Sequence, residues 1–187
     1  RAVAIETAAG LLPATIDESG IATVDMGVPR LDWREIPMAR ATDPLHVALA
    51  RGPLADPVCT NMGNPHATFF VDDAEAVDLA ALGPGLEHDP LFPARANIGV
   101  ATVIDRQTIR FRVWERGAGI TRACGSGACA AMVAARRRGL VGERVTVRLD
   151  GGELDIAWRG TGSVLMAGPA TLSFEGTFDS ALLGGRA

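Results

Sequence analysis

The hydrophobic positions of this chain alternate in several segments and form a nearly continuous apolar stretch in one. The first pattern predicts strands and the second a buried helix. Residues 108–114 alternate between apolar and polar, and together with the apolar run 97–104 they predict a hairpin. A second hairpin is predicted for residues 143–149 and 153–158, with a glycine-rich turn between them. Residues 127–138 carry few polar side chains before their last turn, which predicts a buried helix that ends at Gly139.

The flanking segments add strands and one short helix. Residues 16–28 are predicted as strand with a break at 18–20, and residues 163–167 and 170–175 as two strands separated by Gly168-Pro169. A short helix is predicted for residues 74–82, followed by a loop over 83–93. Runs of strands, in place of a regular βαβ alternation, predict the α+β class, with a mostly antiparallel sheet curled about the central helix.

Residues 115–130 read ERGAGITRACGSGACA and place Cys124 immediately before the first turn of that helix. The first N–H groups of a helix lack internal partners, and the helix dipole adds positive charge there, so we expect a depressed pKa for the Cys124 thiol. The N–H groups of Gly125, Ser126 and Gly127 are suited to hold a carboxylate. The alternative is a thiol that only fills space, which is common for cysteine. The surrounding glycines and Glu115-Arg116 favour a reactive thiol next to a carboxylate site.

The same glycines formally match the dinucleotide fingerprint G-x-G-x-x-A over residues 125–130. That fingerprint requires a strand that runs directly into the glycines and a parallel βαβ unit. A loop over residues 115–123 precedes the helix and a hairpin follows it, so the pattern argues against a dinucleotide site.

Composition restricts the classes of function. The 187 residues carry a net charge of −4, which gives no reason to expect nucleic-acid binding, and the apolar runs are too short to span a membrane. Three cysteines do not form a disulfide framework, which indicates a reducing compartment. Cys124 and Cys129 are five residues apart and diverge by about 140° on a helix, so a metal site is not expected.

A second polar segment, Asn64-Pro65-His66, lies where a loop enters a predicted strand. An isolated histidine is more often structural than functional. A polar corner at the start of a strand nevertheless directs side chains into a cleft, so Asn64 and His66 are candidate site residues.

Residues 115–130, the segment Gly-Asn-Pro-His66 and the Ala-Asn-Ile-Gly around Asn97 together resemble the diaminopimelate epimerase family. The resemblance implies two similar halves, each a curled sheet around a central helix, with the site between them. It also implies interconversion of LL- and meso-2,6-diaminopimelate by two cysteines, in the synthesis of lysine and peptidoglycan precursors. One thiolate removes the α-proton and the other thiol returns a proton to the opposite face.

The resemblance also assigns roles to residues. Cys124 becomes the acid/base thiol of the C-terminal half, with His66 beside it as a residue that tunes protonation, and Glu115 as a further catalytic residue. The residues that resemble substrate-binding positions are Asn64, Asn97, Glu115, Arg116, Gly125 and Ser126. The implied enzyme uses no cofactor and no metal, is cytoplasmic, forms a homodimer and contacts neither nucleic acid nor membrane.

One part of the family pattern is absent, a first cysteine in a Cys-Gly-Asn-Gly-like segment. Residues 1–4 resemble the start of the helix that follows it, so we expect the other thiol just before residue 1, and a truly truncated molecule would bind without turnover. Residues 1–25 are predicted as a remnant of the N-terminal half, to which 170–187 return, and 26–169 as the C-terminal half. The alternatives are a proline racemase-like isomerase and a thiol hydrolase with Cys124 as nucleophile and His66 as base.

Overall fold

A computed structural model describes residues 1–7 and 10–179, and its main feature is one mixed sheet of eleven strands. These strands are β1 (Ala2–Thr7), β2 (Gly10–Ile16), β3 (Ile21–Asp25), β6 (Val58–Asn61), β7 (Pro65–Phe70), β8 (Asn97–Asp105), β9 (Thr108–Glu115), β10 (Gly119–Thr121), β11 (Arg144–Leu149), β12 (Gly152–Ala157) and β13 (Leu165–Pro169). The remaining elements are a separate pair, β4 (Ala50–Arg51) with β5 (Leu54–Ala55), and two helices, α1 (Leu79–Glu87) and α2 (Gly125–Arg137). The sheet order is β1-β2-β3-β13-β12-β11-β9-β8-β7-β6, with β10 paired to β9.

Helix α2 forms the centre of the larger core. Every residue from Gly127 to Ala135 is buried, and the helix contacts six strands: β6, β7, β8, β9, β11 and β12. Small alanine side chains allow the strands to approach the helix closely on all sides. The α+β class and the sheet curled about a central helix are therefore confirmed.

The β6–β9 part of the sheet is covered on both faces. Phe111 and Val113 of β9 point into the core around α2, whereas Phe69 of β7 and Ile98 of β8 point into a second core that includes Leu86 of α1. Side chains alternate between the two faces along each strand, so polar residues of β7 and β8 that face α2 are buried beneath that helix.

Most strand pairs are antiparallel, as predicted, but two are parallel. β9 and β11 run parallel and are connected through α2, and β7 and β8 run parallel and are connected through α1. The expectation that only a hairpin follows α2 was therefore incomplete, because β11 pairs with β12 on one side and with β9 on the other. The predicted loop before α2 also contains β10, so no strand runs directly into the glycines.

Two predictions at the N-terminal side were wrong. Residues 2–4 belong to strand β1, because Val3, Ile5 and Thr7 are β-branched at alternate positions and the segment pairs with β2. Helix α1 covers 79–87 instead of 74–82, because Asp78 caps it by accepting the Ala81 N–H. Asp73, which precedes the predicted helix, accepts the Glu75 N–H in a turn.

The C-terminal prediction also needs correction. Strand β13 contains the Gly168-Pro169 pair that was expected to separate two strands, and residues 171–179 form no strand. β13 pairs along its whole length with β3, and the Ala170 N–H donates to Gly20 just beyond Pro169. The prediction for residues 180–187 falls outside the described residues.

Candidate active site

Cys124 is the N-cap residue of α2. Its backbone is extended (φ −145°, ψ 102°) and its own carbonyl accepts the Ala128 N–H of the first turn. The residue is buried, with 6% of its surface exposed. Gly127 allows this position, because a Cβ there would lie 3.1 Å from the Cys124 sulfur and 3.0 Å from Cε1 of Phe111.

The thiol is protonated in this environment, contrary to the sequence-based expectation. Burial raises the pKa of Cys124 from an ordinary 9.0 to about 11, and the Glu115 carboxylate adds to the rise as a nearby negative charge and hydrogen-bond partner. Hydrogen bonds from Ser126 and from the Gly127 N–H act in the opposite direction. The predicted depressed pKa is therefore wrong, because desolvation outweighs the favourable helix terminus.

Ser126 is placed beside the thiol. Its Oγ lies 3.6 Å from the Cys124 sulfur, and the N-cap residue of α2 is Cys124. Gly125 lies next to Met166 of β13, whose sulfur would be 2.9 Å from a Cβ at position 125. Met166 could not be placed here from local sequence, because the contact depends on the β12–β13 pairing.

Glu115 is held in place by Thr121. The Thr121 hydroxyl donates a short hydrogen bond to Oε1 of Glu115, and the antiparallel pairing of β10 with β9 brings the two side chains together. Thr121 is a site residue that sequence reasoning missed, although it lies inside the motif. A carboxylate with one donor retains acceptor capacity for a further cationic group.

Arg116 and Asn97 are joined through the backbone. The Arg116 N–H donates to Oδ1 of Asn97 at 2.8 Å, and Nη1 of Arg116 donates to the Ala94 carbonyl at 2.7 Å. Asn97 is buried, and its Nδ2 has no protein acceptor. An unpaired buried amide donor is costly, so Nδ2 is a candidate group for binding a ligand oxygen.

His66 is buried as a neutral imidazole. Its Nε2 lies 2.8 Å from Oδ1 of Asn64, and the β7–β8 register puts His66 directly opposite Asn97. Burial, with a smaller contribution from the charge of Arg116, lowers the pKa of His66 to about 3. A histidine that stays neutral at pH 7 orients its neighbours but does not act as a strong base.

The eight predicted residues form one connected set. The Glu115 carboxylate contributes to the raised pKa of Cys124, and Arg116 bonds to Asn97 and influences His66 through its charge. Gly125 and Ser126 begin the helix at the thiol, and Asn64 bonds to His66. The arrangement combines a buried thiol with one carboxylate, one guanidinium and amide donors. These are the groups needed to bind a zwitterion and to move a proton at its α-carbon.

A ninth residue, Glu87, was missed because it lies in a segment predicted as loop. Its carboxylate is buried against the loop that carries Glu115 and Arg116. Among the described residues, no three His, Cys, Asp or Glu side chains are grouped as a metal site. No helix in the described ranges is long and apolar enough to cross a membrane.

The fold is similar to that of solved proteins named as a proline racemase and a hydroxyproline epimerase. A probable proline racemase from Agrobacterium radiobacter K84 superposes with a TM-score of 0.62 at 16% identity, covering 94% of this chain and 61% of that one. A hydroxyproline epimerase from Agrobacterium vitis has a TM-score of 0.61 at 16% identity, covering 90% and 57%. At such low identity these similarities define the fold.

The sequence comparisons identify the family. The diaminopimelate epimerase model matches residues 58–173. The chain is 60% identical over 183 residues to the diaminopimelate epimerase of Rhodospirillum centenum, covering 98% of this chain and 63% of that protein. The enzyme of Acidiphilium cryptum is 54% identical, with 98% and 66% covered. The chain belongs to the diaminopimelate epimerase family and spans a little under two thirds of the length of these relatives.

Proposed function

We propose that this chain forms part of an epimerase that interconverts LL- and meso-2,6-diaminopimelate and that Cys124 is one of its two acid/base thiols. The observation that carries the proposal is the position of the buried Cys124 thiol at the N-terminus of α2, 3.6 Å from the Ser126 hydroxyl. The naming of the relatives as diaminopimelate epimerases supports the choice of substrate.

In the proposed reaction, Glu115 receives the substrate ammonium, and Arg116 with the first N–H groups of α2 receives a carboxylate. In one direction the Cys124 thiolate takes the α-proton, and the electron pair remains on the α-carbon beside the carboxylate. A second thiol then donates a proton to the opposite face. In the reverse direction the Cys124 thiol is the donor, which matches its protonated state in the free site.

The second thiol is proposed to come from residues outside this sequence. The other two cysteines, Cys59 and Cys129, are fully buried, and burial raises the pKa of each to about 12. Both therefore suit packing roles. The relatives are about half as long again as this chain, which leaves room for a segment that carries the other thiol.

The division of the chain remains a proposal as well. Residues 1–25 and 170–179 are assigned to the N-terminal half, and residues 26–169 to the half that carries Cys124. The apolar side chains Val3, Ile5 and Leu11 are exposed, which is consistent with further chain packing on β1 and β2. A homodimer, a cytoplasmic location and a role in lysine and peptidoglycan precursor synthesis are proposed from the family alone.

The test is α-proton exchange of meso-diaminopimelate in D₂O, measured by NMR with the full-length protein. The parent protein exchanges deuterium, and Cys124→Ala lowers the rate by about 10²–10⁴-fold, the range typical of a lost acid/base group. Cys59→Ala is the matched control because that thiol lies in the other core and retains exchange. Exchange that persists in Cys124→Ala contradicts the proposal.

The same assay separates the two alternatives. A proline racemase-like isomerase exchanges the α-proton of proline and leaves diaminopimelate unchanged. A thiol hydrolase becomes acylated at Cys124 by an activated ester without any α-proton exchange. The low pKa of His66 and its bond to Asn64 give the hydrolase alternative a weak base.

A further inference from the structure

A buried carboxylate outside the eight-residue set contacts the loop that carries Glu115 and Arg116. Glu87 is the last residue of α1, and only 4% of its side chain is exposed. Oε2 accepts the indole N–H of Trp114 at 2.7 Å, and Oε1 accepts the Gly117 N–H at 3.0 Å. Nη1 of Arg95 approaches Oε1 at 3.3 Å.

The two residues that donate to Glu87, Trp114 and Gly117, lie on either side of the Glu115-Arg116 pair. Trp114 directly precedes Glu115, and Gly117 directly follows Arg116, so a single carboxylate fixes both ends of the segment. The Trp114 ring is also fixed by α1, because a Cβ at Gly83 would lie 2.6 Å from the ring. The segment therefore has little freedom to change its position relative to α1 while Glu87 remains in place.

The contacts favour a carboxylate at this position over an amide. Burial raises the pKa of Glu87, but the hydrogen bonds from Trp114 and Gly117 and the charges of His88 and Arg95 hold that pKa below its usual range. A glutamine has only one acceptor oxygen and would turn an NH₂ group toward one of the donors. One buried N–H would then lose its partner, at a cost of about 1–3 kcal/mol.

We infer that Glu87 is a positioning residue for Glu115 and Arg116. It acts by holding both ends of the segment that carries Glu115 and Arg116 against α1, through the Trp114 and Gly117 N–H groups. The expected effect of Glu87 on substrate affinity rests on the proposed function. Its expected effect on the positions of Glu115 and Arg116 is independent of that function.

The test measures the pH dependence of Cys124 alkylation by iodoacetamide in the full-length protein, with the labelled peptide quantified by mass spectrometry. Glu87→Gln is expected to move the apparent pKa of the reaction downward, in the direction of Glu115→Gln, and to raise the rate at pH 8 by about threefold or more (about half a pKa unit). The double variant is expected to show no further shift, because both changes remove the same interaction.

Loss of stability alone is controlled by a substitution at Leu54, a fully buried residue of β5 that lies in the core without Cys124. Leu54→Val or Leu54→Ala is chosen to match the Tm of Glu87→Gln and is expected to leave the alkylation profile unchanged. A Glu87→Gln profile equal to that of the parent and of the Leu54 variant overturns the inference. Additive shifts in the double variant overturn it as well.

A second measurement separates this inference from the proposed function. In Glu87→Gln the Kd for meso-diaminopimelate is expected to rise by about tenfold relative to the Leu54 variant, the effect of one weakened charge-assisted bond. If the parent does not bind or exchange diaminopimelate, the proposed function fails. The alkylation profiles then still decide whether Glu87 positions Glu115.

Discussion

The Phe111 ring lies in a slot between two glycines, and we expect Gly99→Ala to disturb the start of α2. An added Cβ at position 99 would lie 2.6 Å from Cε2 and 2.9 Å from Cζ of the ring. On its other side the ring is next to Gly127, where a Cβ would be 3.0 Å from Cε1. Phe111 is only 1% exposed, so the displaced ring must press against the turn that holds Cys124.

The expected magnitude follows from the overlap. A contact below 3.0 Å between an added Cβ and a buried ring requires a shift of several tenths of an ångström in a packed core. Overpacking of this kind costs about 1–3 kcal/mol. For a chain of this size that corresponds to a Tm lower by about 2–12 °C. Differential scanning calorimetry measures the change, and iodoacetamide labelling reports whether Cys124 has become more accessible.

A second substitution, at Phe111, tests whether the ring is the reason for glycine at position 99. Phe111→Leu removes part of the ring and destabilises the chain on its own by leaving a cavity. In the double variant the new methyl group fills that space, so the combined loss of stability is expected to be smaller than the sum of the two single losses. Equal Tm values for the parent and Gly99→Ala, or strict additivity in the double variant, would refute the slot as the reason for glycine at position 99.

Three further outcomes are expected. With a pKa of about 11, about one Cys124 thiol in a thousand is ionised at pH 8. Glu115→Gln is expected to lower the pH at which Cys124 reacts with iodoacetamide, measured as reaction rates between pH 7 and 10.5. Thr121→Val removes the hydroxyl donor to Glu115 at nearly constant shape and weakens binding of meso-diaminopimelate about tenfold or more by calorimetry. The folded-state pKa of His66, about 3, is below its ordinary value of 6.5. The contribution of the neutral imidazole to stability is therefore complete above pH 6.5 and is lost as the pH falls toward 3. His66→Gln is expected to reduce the change of unfolding free energy with pH in this range, measured by urea unfolding.

The candidate site could be proposed from the sequence because its signals are local. Glycines around Cys124, the start of a helix and the Glu115-Arg116 pair all lie within sixteen consecutive residues. The thiol's pKa was mispredicted because the sequence shows the helix terminus but not the burial or the distance to Glu115. The start of a helix, and hence its dipole, can be read from neighbouring residues, whereas the burial of a thiol depends on the whole fold.

Positions fixed by distant partners were not predictable. Glu87 is 27 and 30 residues from its donors Trp114 and Gly117, and it lies in a segment whose Gly83 and Pro84 indicate a loop. The prediction also placed a break at Gly168-Pro169 inside strand β13. The distant pairing with β3 keeps this segment extended. The central helix and the two hairpins depend on neighbouring residues only, and they were confirmed.

The pairing of β3 with β13 has a consequence for folding. It joins residues about 140 positions apart, such as Asp25 and Leu165, and so closes the longest loop in the sheet. Closure of a long loop loses more chain entropy than closure of a hairpin, so we expect this junction to form late. Because Met166 of β13 covers Gly125, local opening at this junction uncovers the start of α2. Hydrogen exchange of β13 and slow labelling of Cys124 are then two measures of one opening reaction.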